Sequence, residues 1–139
     1  MKINLKNKVV LISGGTHGIG QSCVEKFLKY GSKVITFSRD EVKIKYIKKK
    51  FYKYKKKLNV YKGDTTNKVF LKSVSFNILK KYKFVDIIIH NVGGGGRWGN
   101  SDVDKTNQNV WEEVYQKNNN GVIFFNKIFV KLMQKKNWG

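Results

Sequence analysis

Short apolar runs alternate with helical apolar patterns along most of this 139-residue chain. The apolar runs predict four buried strands, and the segments between them place apolar residues at the spacing of amphipathic helices. We expect the strands at Val9 to Ser13, Lys33 to Phe37, Leu58 to Tyr61 and Phe84 to Ile89. Strands separated by helices indicate βαβ units, a parallel sheet and right-handed crossovers.

Four helices are expected between and after these strands. The first runs from about Gly18 to Tyr30, and Gly31 is its expected C′ stop. The third follows a turn at Gly63 to Asn67, and the fourth begins near Val110. The apolar positions that predict the second, third and fourth helices are Ile44, Ile47, Phe51, Tyr54 and Leu58, then Phe70, Val74 and Ile78, then Val114, Val122, Phe125, Phe129 and Leu132.

Composition narrows the class of protein. The length fits one domain, and no apolar stretch reaches membrane-spanning length, so we expect no membrane partner. The single cysteine, Cys23, excludes an internal disulfide framework and fits a reducing cytoplasm, which is the expected location. The sequence suggests no metal site.

The net charge of +20 raises the question of nucleic-acid binding. Lysine supplies 27 of the 29 basic residues, and the chain has no proline and no alanine. This bias is typical of proteins encoded by AT-rich DNA, in which solvent-exposed positions drift toward lysine. A specific reader of nucleic acid would be expected to use more arginine for bidentate contacts. Nucleic acid is therefore an unlikely partner, although a basic nucleic-acid-associated protein stays open as a third hypothesis.

A glycine-rich turn between the first strand and the first helix is the strongest chemical signal. Residues 13–20 read Ser-Gly-Gly-Thr-His-Gly-Ile-Gly. Glycines let the backbone approach a phosphate closely, and the helix start offers free N–H groups to an anion. The candidate cofactor-binding residues here are Gly14, Thr16, His17, Gly18, Ile19 and Gly20. The alternative is a tight β–α turn without a ligand.

Three further segments complete a family pattern. The glycine turn resembles the Thr-Gly-x-x-x-Gly-Ile-Gly motif of the short-chain dehydrogenases/reductases, with Ser13 in place of threonine. Asp64, beside Thr65, resembles the aspartate that contacts adenine in that family. The segment Asn91-Val92-Gly93 resembles the end of the Asn-Asn-Ala-Gly motif, with His90 replacing the first asparagine. Asn118 resembles the catalytic asparagine of the next helix.

The resemblance covers the family's N-terminal half. It implies an α/β fold, a Rossmann-like doubly wound parallel sheet truncated after about four strands. Residues 1–139 then form a dinucleotide-binding domain that is incomplete at its C-terminus. Structural roles without a ligand stay open as alternatives: Asp64 could cap the following helix, and Asn118 could be a buried polar residue that only stabilises the fold. Gly93 opens a glycine run that could act only as a linker.

The end of the second strand bears on the choice of cofactor. NAD enzymes usually place an acidic residue there to hold the ribose 2′-OH. This chain has Ser38, which leaves room, and Arg39, which can pair bidentately with a 2′-phosphate. Asp40, one position later, is an acidic residue that would favour NAD(H) instead. The expected cofactor is NADP(H) rather than NAD(H).

The proton-transfer residues of the family are not found at matching positions. The resemblance implies a serine after a fifth strand and a Tyr-x-x-x-Lys pair on the next helix. Tyr46 with Lys50, and Tyr52 with Lys56, match that spacing, but they lie in a lysine-rich stretch where chance matches are expected. Arg97 and Trp98, in the loop before the last helix, are weak candidates for substrate contact.

These observations leave two main hypotheses of function. The first is the N-terminal part of an NAD(P)-dependent oxidoreductase that transfers hydride to and from a carbonyl or alcohol. Its partners would be a nicotinamide dinucleotide and, if the fold is completed, a small carbonyl or alcohol substrate. The second is a non-catalytic NADP-binding remnant. The oligomeric state stays open: the family commonly pairs subunits into homo-oligomers through the last helix of this chain and the helix after it.

Overall fold

The computed structural model describes residues 4–94 and 105–138 as alternating strands and helices. Their order is β1 (Val9–Ser13), α1 (Gly18–Lys29), β2 (Lys33–Ser38), α2 (Glu41–Lys50), β3 (Leu58–Lys62), α3 (Lys68–Tyr82), β4 (Ile87–Ile89) and α4 (Gln108–Lys135). A short 3₁₀ turn, Tyr52–Tyr54, follows α2.

The strands form one parallel sheet in the order β3-β2-β1-β4. This arrangement confirms the predicted α/β fold with a doubly wound sheet. Because all strands run in one direction, their carboxyl ends meet at one edge of the sheet, where ligands bind in open α/β folds. Among the described residues, β4 is an edge strand with half-buried isoleucines.

The core has two layers, one on each face of the sheet. On one face, alternate residues of β1 and β2 pack with the apolar sides of α1 and α2. On the other face, the intervening strand residues pack with α3 and α4. Phe125 of α4 contacts Phe37 of β2 with ring centroids 5.7 Å apart. This contact holds α4 against the carboxyl end of β2.

Two boundaries differ from the expectation by three residues or more. The second helix ends at Lys50, and the apolar spacing continues past it through the 3₁₀ turn to Leu58, where β3 begins as predicted. Strand β4 begins at Ile87 rather than Phe84. The reason is Asp86, whose buried carboxylate accepts the Val9 amide at 2.8 Å. The Val9 amide therefore bonds to a side chain and not to a backbone carbonyl of the segment before β4, and regular strand pairing starts after Asp86.

The ends of the helices follow local capping chemistry. Gly31 has φ +84° and ends α1 as expected, with the Ser32 amide donating back to the Phe27 carbonyl. Asn67 caps α3 by accepting the Phe70 amide at 3.0 Å, so the N-cap alternative for Asp64 is wrong. In the described part of the chain, no helix combines the length and apolar character needed to cross a membrane.

Candidate functional site

A cleft of about 870 Å³ opens at the carboxyl edge of the sheet. Its walls come from the turn after β1, the ends of β2 and β3, the segment after β4 and one side chain of α4. The lining residues are Gly14, His17, Gly18, Ile19, Phe37, Ser38, Arg39, Asp40, Lys43, Gly63, Asp64, Thr65, Asn91, Val92, Gly93, Gly94 and Lys117.

The glycine turn brings the start of α1 to the cleft. Helix α1 begins at Gly18, and its N-cap residue His17 makes no side-chain capping bond. The first turn of α1 carries no acidic side chain. A Cβ on Gly18 would meet no atom within 4 Å, so the cleft is open in front of this turn. The first-turn amides and the positive end of the helix dipole are therefore available to an anion.

The third glycine of the motif serves packing rather than ligand contact. Gly20 is buried, and a Cβ there would overlap the Gly14 carbonyl oxygen and lie 2.5 Å from Nδ2 of Asn91. Nδ2 of Asn91 donates to that same carbonyl at 3.1 Å. The absence of a side chain at Gly20 thus lets α1 and the segment after β4 hold the turn from both sides.

Two hydroxyl groups tie the glycine turn and the end of β1 to neighbouring segments. Thr36 of β2 is fully buried; its Oγ1 accepts the Gly15 amide at 2.9 Å and donates to the Ile12 carbonyl at 2.8 Å. Oγ of Ser13 accepts the amides of Asn91 and Val92 at 2.8 and 3.1 Å. Sequence reasoning missed Thr36, because a threonine in an apolar strand resembles an ordinary strand residue.

The end of β2 forms a compact polar turn. The Asp40 amide donates to Oγ of Ser38 at 3.2 Å, and the Asp40 carboxylate caps α2 by accepting the Lys43 amide at 3.1 Å. The Arg39 side chain is 64% exposed and pairs with Asp64 after the neighbouring strand β3, with Nη1 and Oδ2 3.1 Å apart. In this structure Arg39 is therefore paired with an aspartate of the same chain.

Asp64 is held by the backbone that follows it. Its Oδ1 accepts both the amide and the hydroxyl of Thr66, at 2.9 and 3.0 Å. Partial burial on its own would raise the pKa of Asp64, but these two hydrogen bonds and the Arg39 guanidinium outweigh burial and lower it. Asp64 is therefore an anion near neutral pH, oriented toward the cleft from the end of β3.

Helix α4 closes the side of the cleft beyond β4. Oδ1 of Asn118 accepts the Gly94 amide at 3.0 Å, which gives this half-buried asparagine a backbone partner. Gly121 lets the helix approach closely, because a Cβ there would lie 2.8 Å from Cγ2 of Thr65. Further along, Nε2 of His90 and Oδ1 of Asn126 are 3.0 Å apart.

The structure brings nearly all the predicted cofactor-binding residues together along this cleft. Thr16 and Gly20 lie beneath it, and the buried Thr16 hydroxyl has no hydrogen-bond partner among the described residues. Asn118 stands behind Gly94 and is not a lining residue. The pairs Tyr46/Lys50 and Tyr52/Lys56 do not line the cleft. Arg97 and Trp98 lie outside the described residues.

The arrangement can bind an extended, doubly anionic ligand. One end offers the free amides of the α1 start, and the other offers a hydroxyl, two cations and two carboxylates. Polar groups at the carboxyl edge, with a glycine turn at the start of a helix, are the setting in which nucleotide diphosphates bind.

Comparison with known proteins assigns the family. The family model of short chain dehydrogenases matches residues 8–139. The chain therefore belongs to the short-chain dehydrogenase family, which confirms the resemblance drawn from the motifs.

Among curated relatives, 3beta-hydroxysteroid dehydrogenase 2 of Eggerthella lenta is 25% identical over 135 residues, which cover 97% of this chain and 51% of that protein. The NADP-dependent 3-hydroxy acid dehydrogenase YdfG of Escherichia coli K12 is 23% identical over 131 residues, or 94% of this chain and 51% of that protein. The chain thus spans about half the length of these curated relatives.

A solved structure resembles this chain closely. ElxO with NADP bound superposes with a TM-score of 0.84 at 29% sequence identity, covering 96% of this chain and 53% of ElxO. The fold of this chain therefore corresponds to about half of the ElxO chain.

Proposed function

We propose that this chain binds NADP(H) in the cleft, as the N-terminal part of an oxidoreductase that transfers hydride between the cofactor and a carbonyl or alcohol. The observation that carries the proposal is the open glycine turn at the start of α1, which faces the same cleft as Ser38, Arg39 and Asp64. The amides of that start would hold the diphosphate, and the polar end would hold the adenosine ribose.

The choice of NADP(H) over NAD(H) rests on which groups at the polar end are fixed. Asp40 is tied to the α2 backbone through Lys43, and Asp64 to the backbone through Thr66. Among the residues that the structure describes, the Arg39 guanidinium is held by one exposed ion pair at its tip. The carboxylates therefore stay in place while Arg39 can turn toward a 2′-phosphate.

Energies favour that rearrangement. An exposed ion pair contributes about 0 to 1 kcal/mol, because solvent screens it and two long side chains lose freedom. A 2′-phosphate carries about two negative charges where Asp64 carries one, and it presents three acceptor oxygens. Arg39 can contact two of these oxygens at once. The exchange of Asp64 for a 2′-phosphate is therefore favourable for Arg39.

Two of the similar proteins support the same cofactor. YdfG is described as NADP-dependent, and ElxO was solved with NADP bound. Both match this chain across the segment that contains the cleft, since the matched regions cover 94% and 96% of it.

Catalysis is proposed for the whole protein only. The cofactor would supply the hydride, and the resemblance places a serine and a Tyr-x-x-x-Lys pair in the other half of the family fold. Asn118, through its bond to Gly94, would position the segment beside the cofactor. The 139 residues by themselves are expected to bind cofactor with turnover reduced by about 10² to 10⁴, because general acid–base help is missing.

Titration of the purified chain with NADPH and NADH tests the proposal. We expect saturable NADPH binding that is tighter than NADH binding, followed by little or no oxidation of NADPH over a panel of carbonyl compounds. Tighter binding of NADH would overturn the cofactor assignment. No binding of either dinucleotide would overturn the proposal as a whole.

A further inference from the structure

The first turn of α2 places a second cation at the ribose end of the cleft. Lys43 lines the cleft together with Ser38 and Arg39. Its side chain is 45% exposed, and its ammonium nitrogen lies 3.8 Å from Oδ2 of Asp40. We propose that Lys43 is a second specificity-determining residue, which holds the 2′-phosphate of NADP(H) beside Arg39. This inference rests on the NADP(H) binding proposed above.

Lys43 brings the charges at this end of the cleft into balance. Asp40 and Asp64 both line it, and their orientations are set by backbone amides. With Arg39 as the sole cation, these carboxylates would leave a net negative charge where the 2′-phosphate must enter. Lys43 balances the second carboxylate, so a phosphate approaching this end meets two cations that can turn toward it.

The Lys43–Asp40 contact is weak enough to exchange. At 3.8 Å and with both side chains nearly half exposed, it is a screened ion pair. Such pairs between residues three or four apart on a helix contribute about 0.3 to 0.5 kcal/mol. Asp40 does not need the ammonium group, because its Oδ1 already accepts the Lys43 amide as the helix cap. Lys43 can therefore leave Asp40 for a doubly charged phosphate without loss of the cap.

Lysine is abundant on α2, so a specific role must be separated from a general charge effect. Lys45 is on the same helix, is exposed and does not line the cleft. Removing either lysine changes the net charge by the same amount. Lys43→Ala and Lys45→Ala therefore form a matched pair, and Lys43→Arg keeps the charge in place.

The experiment measures dissociation constants of the full 139-residue chain for NADPH and NADH, and for adenosine 2′,5′-bisphosphate and AMP. Each pair of ligands differs by the 2′-phosphate. We expect Lys43→Ala to weaken binding of NADPH and of the bisphosphate about tenfold, as for one lost charge-assisted contact. The dissociation constants for NADH and AMP should equal those of the unchanged chain. Lys45→Ala should alter all four constants by less than about twofold, and Lys43→Arg should restore most of the loss.

Failure of this inference is distinguishable from failure of the proposed function. If the unchanged chain prefers NADPH but Lys43→Ala behaves like Lys45→Ala, Lys43 has no role and Arg39 alone selects the phosphate. If Lys43→Ala weakens NADH and AMP as much as their phosphorylated counterparts, Lys43 does not contact the 2′-phosphate. If the unchanged chain binds no dinucleotide, the proposed function falls and this inference falls with it.

Discussion

Arg39 and Asp64 form an ion pair at one end of the cleft, with Nη1 and Oδ2 3.1 Å apart, and so join the end of β2 to the end of β3. Sequence reasoning assigned these residues to different parts of one ligand, Arg39 to the ribose 2′-phosphate and Asp64 to the adenine ring. Their pairing means that a bound 2′-phosphate would compete with Asp64 for Arg39. Release of Oδ2 would then leave Asp64 an acceptor for the base.

Replacement of Arg39 tests the competition directly. Arg39→Ala should weaken NADPH binding by about 10- to 100-fold, since one or two charge-assisted hydrogen bonds to the phosphate are lost. NADH binding should change little, and the ratio of the two constants, measured by calorimetry, reports the difference. Lys72→Ala, an exposed lysine of α3 away from the cleft, is the charge-matched control. An Arg39→Ala chain that keeps its NADPH affinity would refute the assignment of Arg39.

Replacement of Asp64 should change the pH dependence of stability. The pKa of Asp64 is lowered in the folded chain. As the pH falls, the unfolded chain therefore binds the proton before the folded chain does. The ionised Asp64 stabilises the folded chain above the unfolded-state pKa of about 3.9, and this stabilisation is lost as the pH falls through the folded-state pKa. Asp64→Asn should therefore lose less stability than the unchanged chain below about pH 4. Urea unfolding at a series of pH values from about 6 to about 3 measures the free energy of unfolding of both chains. Parallel pH curves for the two chains would contradict the account.

Substitution within the glycine motif should separate packing from ligand contact. Gly20→Ala places a Cβ against the Gly14 carbonyl and Asn91. We expect destabilisation of about 1 to 3 kcal/mol, as for an overpacked site, and loss of NADPH binding as the turn shifts. Gly18→Asn is the matched comparison, because space there is open and asparagine tolerates a φ of +53°. Equal stability losses in the two variants, measured by thermal unfolding, would show that the close approach at Gly20 is not critical.

The Thr36 hydroxyl should matter beyond its size. Thr36→Val keeps the shape but leaves the buried Gly15 amide without its partner, which costs about 1 to 3 kcal/mol. NADPH affinity should fall as well, since Gly15 belongs to the turn that faces the diphosphate. Thr36→Ser retains the hydroxyl and should keep NADPH affinity. If valine is tolerated as well as serine in both unfolding and binding, Thr36 does not hold the turn.

The alternation of apolar runs and helical patterns located the elements well because each face of a parallel sheet must be covered. The start of β1, the start of α1 and the start of β2 lie where the sequence placed them. Leu58 fitted both the helical spacing and the start of the third strand, and the structure places it in β3. A period alone does not tell where a helix ends and a strand begins. The late start of β4 depends on Asp86 bonding to Val9, a contact between residues 77 positions apart.

Candidate site residues were predictable where a motif or a strand end identified them. The hydroxyl of Thr36 and the ion pair of Arg39 with Asp64 depend instead on which strands are neighbours. The parallel register pairs Ser38 with Lys62, which brings the residues after both strands to the same edge. Once that register is known, a contact between Arg39 and Asp64 can be predicted. Their separation of 25 residues along the chain does not indicate it.

The most direct test of the account is a crystal structure of this chain grown with NADP⁺. We expect the diphosphate against the amides at the start of α1, near Gly18, and the 2′-phosphate within hydrogen-bond distance of Arg39, with the Arg39–Asp64 pair opened. A dinucleotide bound elsewhere, or a glycine turn closed by its own side chains with no ligand in front of it, would contradict the central claim.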